Sequence, residues 1–417
     1  MDAPGKSGLQ VTLKRMDNSF TVMNCRYPLP NYVGVGVVLP YGTAHALKQF
    51  DVDVAHFIEH LFFSGTKTRT KKQIWDEMRS FFMYNAFTMQ ESMTCVMGFH
   101  PKDIERATSL VSDMVQNSAF PEAELEKERT PFKEEYSMYN DSPRMVATMR
   151  LMQELFKDHP IGRERIHTEA DINRIKRENV LDVNKGQFVP EDSALIFWGN
   201  VEEKRAMELA EKNFSGFSGK RERVQLPVAQ IAQKPETVRM KKKGISQTAT
   251  VIGMKIPQLN GAGDEFLLVS SGVMMNILNS MLLDKLRLEK GLVYGAGATM
   301  SPSKTAGLLY AMALSSPKNA NEVLDLATKE IEKLAGGEVT SERVDREKEK
   351  LWKASDSGNN DAFNRVIESG LFYINGMPRY REMYNENIAK VDLDSVRKAA
   401  ATMLKMDRAV SVIVEPE

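Results

Sequence analysis

Cysteine is nearly absent from this chain, with two in 417 residues, Cys25 and Cys95. Two thiols build no disulfide framework, and so low a count fits a reducing compartment. Cys95 lies in the alternating stretch Ser92 to Phe99 and reads as a strand packing residue. Net charge is absent as well. The 56 basic and 56 acidic residues cancel, which leaves no electrostatic footprint for nucleic acid. The run Lys241-Lys242-Lys243 is short enough to be a solvated face. No apolar run reaches about 18 residues, so no membrane-spanning helix is expected. The opening residues, Met1 to Lys6, are polar and carry no apolar signal core. A cytoplasmic location is the expectation, and a processed organellar or periplasmic form is also compatible with it. Histidine is scarce too, with six in the chain.

What is present is ordinary globular composition at a length suited to two domains of roughly 200 residues each. Runs rich in Val, Ile and aromatics predict strands at Tyr32–Leu39, Ser92–Phe99, Ala194–Trp198 and Ala409–Val414. Between them, Ile104, Ala107, Leu110, Val111, Met114 and Val115 recur at helical spacing, with Pro101 suited to a first turn. Strands mixed with such helices indicate an α/β or α+β fold. The chain also repeats itself. Ile172, Ile175, Val180 and the strand from Ala194 have counterparts at Ile388, Val391, Val396 and the strand at Val410–Val414, each 216 positions on. A period this long means two similar domains. The stretch between Phe214 and Glu236 lacks periodicity and holds glycine and proline. The expected division is therefore 1–215, a linker at 216–235, and 236–417.

Two of the scarce histidines stand four apart around a glutamate, in His56-Phe57-Ile58-Glu59-His60. On a helix, His56 and His60 are about 40° apart and Glu59 lies about 60° to the other side of His56. All three fit one arc. Two imidazoles on consecutive turns can ligate one zinc ion. Glu59, beside the metal without binding it, can take a proton from water and return it to a leaving amine. This is the H-x-x-E-H order, the reverse of H-E-x-x-H. A catalytic zinc needs a third ligand. Glu128 and Glu135 are two helical turns apart and share a face, while Glu134 points about 100° away from Glu135. Pro131 stands between them and is expected to bend the helix. On spacing alone an acidic solvated helix, Glu122 to Glu135, is the better explanation of these carboxylates.

The stretch from Val54 through His56, Glu59 and His60 to Gly65-Thr66-Lys67 resembles the signature of the pitrilysin/insulinase family of zinc metallopeptidases. Asn85-Ala86-Phe87-Thr88 resembles that family's substrate-binding edge strand. Phe120-Pro121-Glu122 through Glu128-Arg129 to Glu134-Glu135 resembles its second zinc segment, with 74 residues between His60 and Glu135. Arg287-Leu288-Glu289-Lys290-Gly291-Leu292-Val293-Tyr294 resembles its Arg/Tyr pair. The resemblance extends through His159-Pro160 and Gly199-Asn200-Val201 into the second half and spans nearly the whole chain. It implies Glu135 as third ligand, Glu128 as its acidic neighbour, and one Zn²⁺ per chain. It also implies an α+β fold of two similar domains, each a mixed or antiparallel sheet packed with helices, forming half of a clamshell chamber. Arg287 and Tyr294 are then substrate contacts, able to hydrogen-bond a peptide backbone or a developing oxyanion. Phe81-Phe82-Met83-Tyr84 stands where many relatives carry glycines, and Ser270-Ser271-Gly272 is less glycine-rich than usual.

The resulting expectation is a zinc endopeptidase. It cleaves peptides or unfolded segments that add as a strand along Asn85–Thr88. The short chain resembles family members that work as dimers. A homodimer is expected, in which Arg287 and Tyr294 of one chain face the zinc of the other; a heterodimer with a related chain is also possible. No nucleic-acid or membrane partner is expected. The competing reading is a catalytically silent scaffold or partner subunit of a processing peptidase or larger complex. A third is a partner-dependent protease that matures one product.

Overall fold

A computed structural model describes residues 8–29, 31–46, 53–163, 169–231, 234–259, 261 and 263–417. The polar opening Met1–Lys6 lies outside them, as does part of the 216–235 linker. The first half of the chain supplies β1 (Gln10–Arg15), β2 (Thr21–Arg26), β3 (Val33–Leu39), α1 (Val54–Leu61), α2 (Lys71–Met78), β4 (Met83–Thr88), β5 (Met93–Phe99), α3 (Ile104–Asn117), α4 (Glu122–Asp141), α5 (Pro143–Leu155), α6 (Glu169–Arg174), α7 (Arg177–Gln187), β6 (Ala194–Gly199) and α8 (Glu203–Phe214). The second supplies β7 (Glu236–Lys242), β8 (Thr248–Ile256), α9 (Glu265–Leu283), β9 (Val293–Ser301), β10 (Gly307–Ser315), α10 (Ala320–Ala335), α11 (Ser341–Gly358), α12 (Ala362–Ile374), α13 (Tyr380–Lys390), α14 (Leu393–Met403) and β11 (Val410–Pro416).

The fold is α+β and duplicated. One sheet runs β1-β2-β6-β3-β5-β4 and the other β7-β11-β8-β10-β9. Setting β1 aside, the two orders correspond strand for strand. The pairs β2–β6 and β7–β11 are parallel, and the remaining pairs are antiparallel. The 216-residue offset is kept: α7 and β6 begin at Arg177 and Ala194, α14 and β11 at Leu393 and Val410.

The compact units do not follow the contiguous ranges 1–215 and 236–417. One comprises residues 1–134, 165–225 and 354–385, the other 135–164, 226–353 and 386–417. The physical reason is an exchange of helices. From the second half, α12 packs on β3, β5 and β6, and from the first half α5 packs on β8 and β11. Ala362, Phe363, Val366 and Ile374 join Val38, Val96, Ile196 and Trp198 in one core. Leu151, Leu155 and Phe156 join Val251, Leu308 and Val412 in the other. Burying each large side chain contributes about 1.5–3 kcal/mol. Gly34 and Gly36 let α12 approach: a Cβ on Gly34 would stand 2.5 Å from the Ala362 carbonyl oxygen, and one on Gly36 2.7 Å from Val366.

One helix, the stretch Glu265–Glu289, has the length and composition of a membrane span. Serines and asparagines interrupt its apolar run, but no charge occurs from Phe266 to Leu283. Its most apolar window is 61% buried within the protein, as a core helix would be. Both cysteines are buried free thiols, and burial pushes each up to about 12.

Candidate metal centre

Helix α1 buries Val54, Ala55, Phe57, Ile58 and Leu61 and leaves His56, Glu59 and His60 half-buried along its other side. The division between core and site is thus written into eight consecutive residues. The His56 and His60 rings lie 5.0 Å apart. Phe132 of α4, fully buried, packs 4.8 Å from the His56 ring and 5.2 Å from that of His60. It forms an apolar floor that restricts both imidazoles.

Helix α4 continues through Pro131 as one element. Proline removes a single backbone donor, and the helix carries on to Asp141. The unit division cuts this continuous helix between Glu134 and Glu135. Along it Phe132 is buried, Glu134 exposed and Glu135 half-buried. One ligand atom each from His56, His60 and Glu135 lie within 4.8 Å of one another. Two imidazoles and one carboxylate match the donor set of a catalytic zinc and leave room for a fourth ligand. The Tyr139 hydroxyl donates to Glu135 Oε1. Sequence reasoning passed over Tyr139, although it stands one helical turn beyond Glu135 and the i,i+4 spacing signals contact.

Glu128 does not join the cluster. Its Oε2 lies 3.8 Å from His60 Nδ1, an ion-pair distance. His60, with Lys71, holds the Glu128 carboxyl below the usual range against the effect of burial. Glu59 behaves in the opposite way. Burial raises its carboxyl above the ordinary value, and His56, Thr88 and His60 oppose the rise. Thr88 Oγ1 in turn donates to the Ala55 carbonyl at 3.3 Å, which ties the end of β4 to α1.

The start of α4 is set by an unusual turn. Phe120 adopts φ 44°, a left-handed conformation that costs an L-residue about 1–3 kcal/mol. Arg177 holds it, donating to the carbonyls of Phe120 at 2.6 Å and Ala119 at 3.0 Å.

Among the described residues β4 is the edge of its sheet, paired on one side with β5. By strand alternation, Tyr84, Ala86 and Thr88 share the face that meets α1. Asn85 and Phe87 point the other way, and Phe87 meets Phe363 of α12 with ring centres 6.2 Å apart. Of the expected Asn85–Thr88 segment, Ala86 and Thr88 therefore face α1, and Thr88 is the one whose side chain hydrogen-bonds to it. Arg287 and Tyr294 lie in the second unit. Arg287 sits in a π-helical turn that prolongs α9, and its guanidinium stacks 5.0 Å over the Tyr294 ring. Tyr294 is 83% exposed, and Leu288, next to Arg287 in sequence, is 70% exposed.

The model for insulinase, peptidase family M16, matches residues 31–169, and that for the peptidase M16 inactive domain matches residues 174–351. The chain belongs to the insulinase (M16) family. An uncharacterized zinc protease of Rickettsia bellii is 25% identical over 346 residues, 80% of each chain. The mitochondrial cytochrome b-c1 complex subunit 1 of Bos taurus is 25% identical over 211 residues, 50% of this chain and 44% of that one. The crystal structure of a protease from Helicobacter pylori superposes with a TM-score of 0.86 at 18% identity, covering 98% of this chain and 100% of that one. This last likeness concerns the M16 fold.

Proposed function

We propose that this M16 chain is a zinc-dependent endopeptidase that hydrolyses peptides or unfolded polypeptide segments, with His56, His60 and Glu135 holding one zinc ion. The observation that carries this reading is the convergence of those three ligand atoms within 4.8 Å. Zinc bound there supplies a Lewis acid that polarises a carbonyl and lowers the pKa of a water molecule. Glu59 stands one position before His60 and outside the ligand set. Its burial favours the protonated carboxyl, while the two imidazoles and Thr88 favour the carboxylate. A group balanced in this way suits a general base that later returns its proton to the leaving amine.

The edge of β4 offers main-chain donors and acceptors on which an extended substrate can add as a further strand. Main-chain pairing explains why Asn85 and Phe87 can serve that role with their side chains turned from α1. Arg287 and Tyr294 supply a cation and a phenol for a substrate carbonyl or oxyanion. Their exposure within one chain supports a homodimer in which each pair serves the partner's zinc.

The test is zinc content together with digestion of an unstructured peptide library. The expected result is about one zinc per chain and cleavage by the wild type. Glu59→Gln should keep zinc and lose turnover, because the amide takes up no proton. Undiminished hydrolysis by Glu59→Gln would falsify the assignment. The competing reading, a silent partner subunit, draws on the inactive-domain match over 174–351 and the likeness to the cytochrome b-c1 subunit. Under it, zinc-loaded wild type leaves the whole library uncut.

A further inference from the structure

The zinc reading leaves Lys71 unused, yet its surroundings are specific. Its Nζ donates to Glu124 Oε2 at 2.8 Å and to Glu128 Oε1 at 3.0 Å. The second oxygen of Glu128 is the one that faces His60 Nδ1 at 3.8 Å. A single chain of contacts therefore runs from the ammonium through one carboxylate to the imidazole. Glu128 is 17% exposed and Lys71 36%, so solvent screens this chain only in part.

The position of Lys71 is determined from two sides. Thr70 caps α2 reciprocally with Gln73, which makes Lys71 the first helical residue. The loop before it is pinned to Asp113, which accepts from Thr66 at 2.6 Å, Thr68 at 2.7 Å and Arg69 at 2.7 Å. A cation at the first position of a helix is locally unfavourable, because the helix dipole places positive charge there. The gain has to come from elsewhere, and Glu124 and Glu128 are what Lys71 meets. These two stand four apart on α4 and, as anions, repel each other unless a cation lies between them. Burial works to lower the Lys71 pKa, and the two carboxylates raise it overall.

We infer that Lys71 is a positioning residue for the metal centre: it holds the Glu128 carboxylate against His60 Nδ1, and so orients the imidazole and leaves its other nitrogen to the metal. The inference rests on the zinc reading above. Carboxylates behind ligating histidines commonly set ring orientation and basicity, and losing one typically weakens metal binding about 10–100-fold. Here the carboxylate has a support of its own.

The experiment measures zinc affinity of the metal-free full-length chain by competition with a chromophoric chelator. Wild type, Lys71→Met, Lys71→Arg, Glu128→Gln and the Lys71→Met/Glu128→Gln double variant are compared. Lys71→Met is expected to weaken zinc binding about tenfold, and Lys71→Arg, which keeps a cation able to bridge both carboxylates, to restore most of it. In the Glu128→Gln background, Lys71→Met should have no further effect, since Lys71 acts through Glu128. Melting of the metal-free proteins controls for α2. Should Lys71→Met be unstable, Lys71→Gln is measured below its melting temperature against Lys71→Arg. Wild-type affinity in the neutral variants, or an undiminished loss in the double variant, overturns the inference. Failure of the wild type itself to bind zinc overturns the underlying zinc reading instead.

Discussion

The pH dependence of stability should be traceable to one histidine outside the metal centre. His45 is 7% exposed. Gly42 N–H donates to its Nδ1 at 3.1 Å, so the neutral ring carries its proton on Nε2. Its ring stacks on Tyr41, with centres 5.6 Å apart. Burial first, then the nearby Arg221, lowers its pKa from 6.5 to about 4, against the effect of the Gly42 contact. Arg221 cannot easily withdraw, since it donates to the Pro40 carbonyl at 2.6 Å and to Asp192 at 3.1 Å. Above pH 6.5 the ring is neutral in both folded and unfolded chains, and the stability is fully present. As pH falls below that value the unfolded chain takes up a proton that the folded chain refuses until about pH 4. Stability is therefore lost on acidification, by about 2 kcal/mol at pH 5 and about 3 kcal/mol at pH 4.

The perturbation is His45→Asn, which keeps a short acceptor for Gly42 N–H and removes the titration. The assay is urea unfolding from about pH 7.5 to about pH 4.5, followed by the fluorescence of Trp198, fully buried in the sheet of the same unit. Carboxylates titrate in both proteins and cancel in the difference. The wild type should lose more stability than the variant, by the amounts above. Parallel pH profiles would refute the reasoning. The effect reaches toward the site, because the same turn holds the end of the β4–β5 hairpin: Thr43 N–H donates to the Met89 carbonyl at 3.0 Å and Ala44 N–H to that of Gln90 at 2.8 Å.

Tyr139→Phe removes the hydroxyl that donates to Glu135 and should weaken zinc binding about tenfold with little change in melting temperature; unchanged affinity in chelator competition contradicts that role. A mixed dimer of Arg287→Ala and Glu59→Gln chains should retain about half of wild-type turnover, because trans pairing concentrates both lesions in one of two sites. A fully inactive mixed dimer, isolated by dual tags, refutes trans pairing. A fragment spanning 1–215 lacks α12 and should not unfold cooperatively, whereas adding the 354–385 segment in trans should recover cooperative melting; a sharp transition from the fragment alone speaks against the exchange.

Much of the site was legible because its residues are local or share a helix. His56, Glu59 and His60 occupy two turns, and helix geometry alone places them on one side. Glu135 as third ligand came from the family resemblance rather than from spacing, which grouped it with Glu128; the helix exposes Glu134 and brings Glu135, not Glu128, into the cluster with the histidines. The bend expected at Pro131 does not interrupt the helix, since α4 runs on as one element. The strands were legible from alternation, and the duplication from a constant offset. Lys71 was not, because nothing near it in sequence announces that α2 will start beside Glu124 and Glu128. That juxtaposition depends on Asp113, more than 40 residues away, gathering the loop before α2.

The exchanged helices show why duplication in sequence and compactness in space need not coincide. Val38, Val96, Ile196, Trp198 and Met23 form an apolar sheet face within the first half, and their cover is α12, more than 300 residues from β3 in the chain. Leaving five such side chains exposed forgoes on the order of 10 kcal/mol, comparable to the whole net stability of a typical domain. A half-chain cut at the linker is therefore a poor folding unit, however regular the repeat. Gly34-Val35-Gly36 carried the one local hint, since glycines inside a strand mark close backbone approach, but they do not say what approaches. The carbonyl of Ala362 does. Helix α1, which carries the candidate site, thus packs against the edge strand β4 of a sheet whose opposite face is completed by α12 of the second half. Substitutions in α12 should reach the metal centre through that sheet, although no residue of α12 belongs to the ligand set.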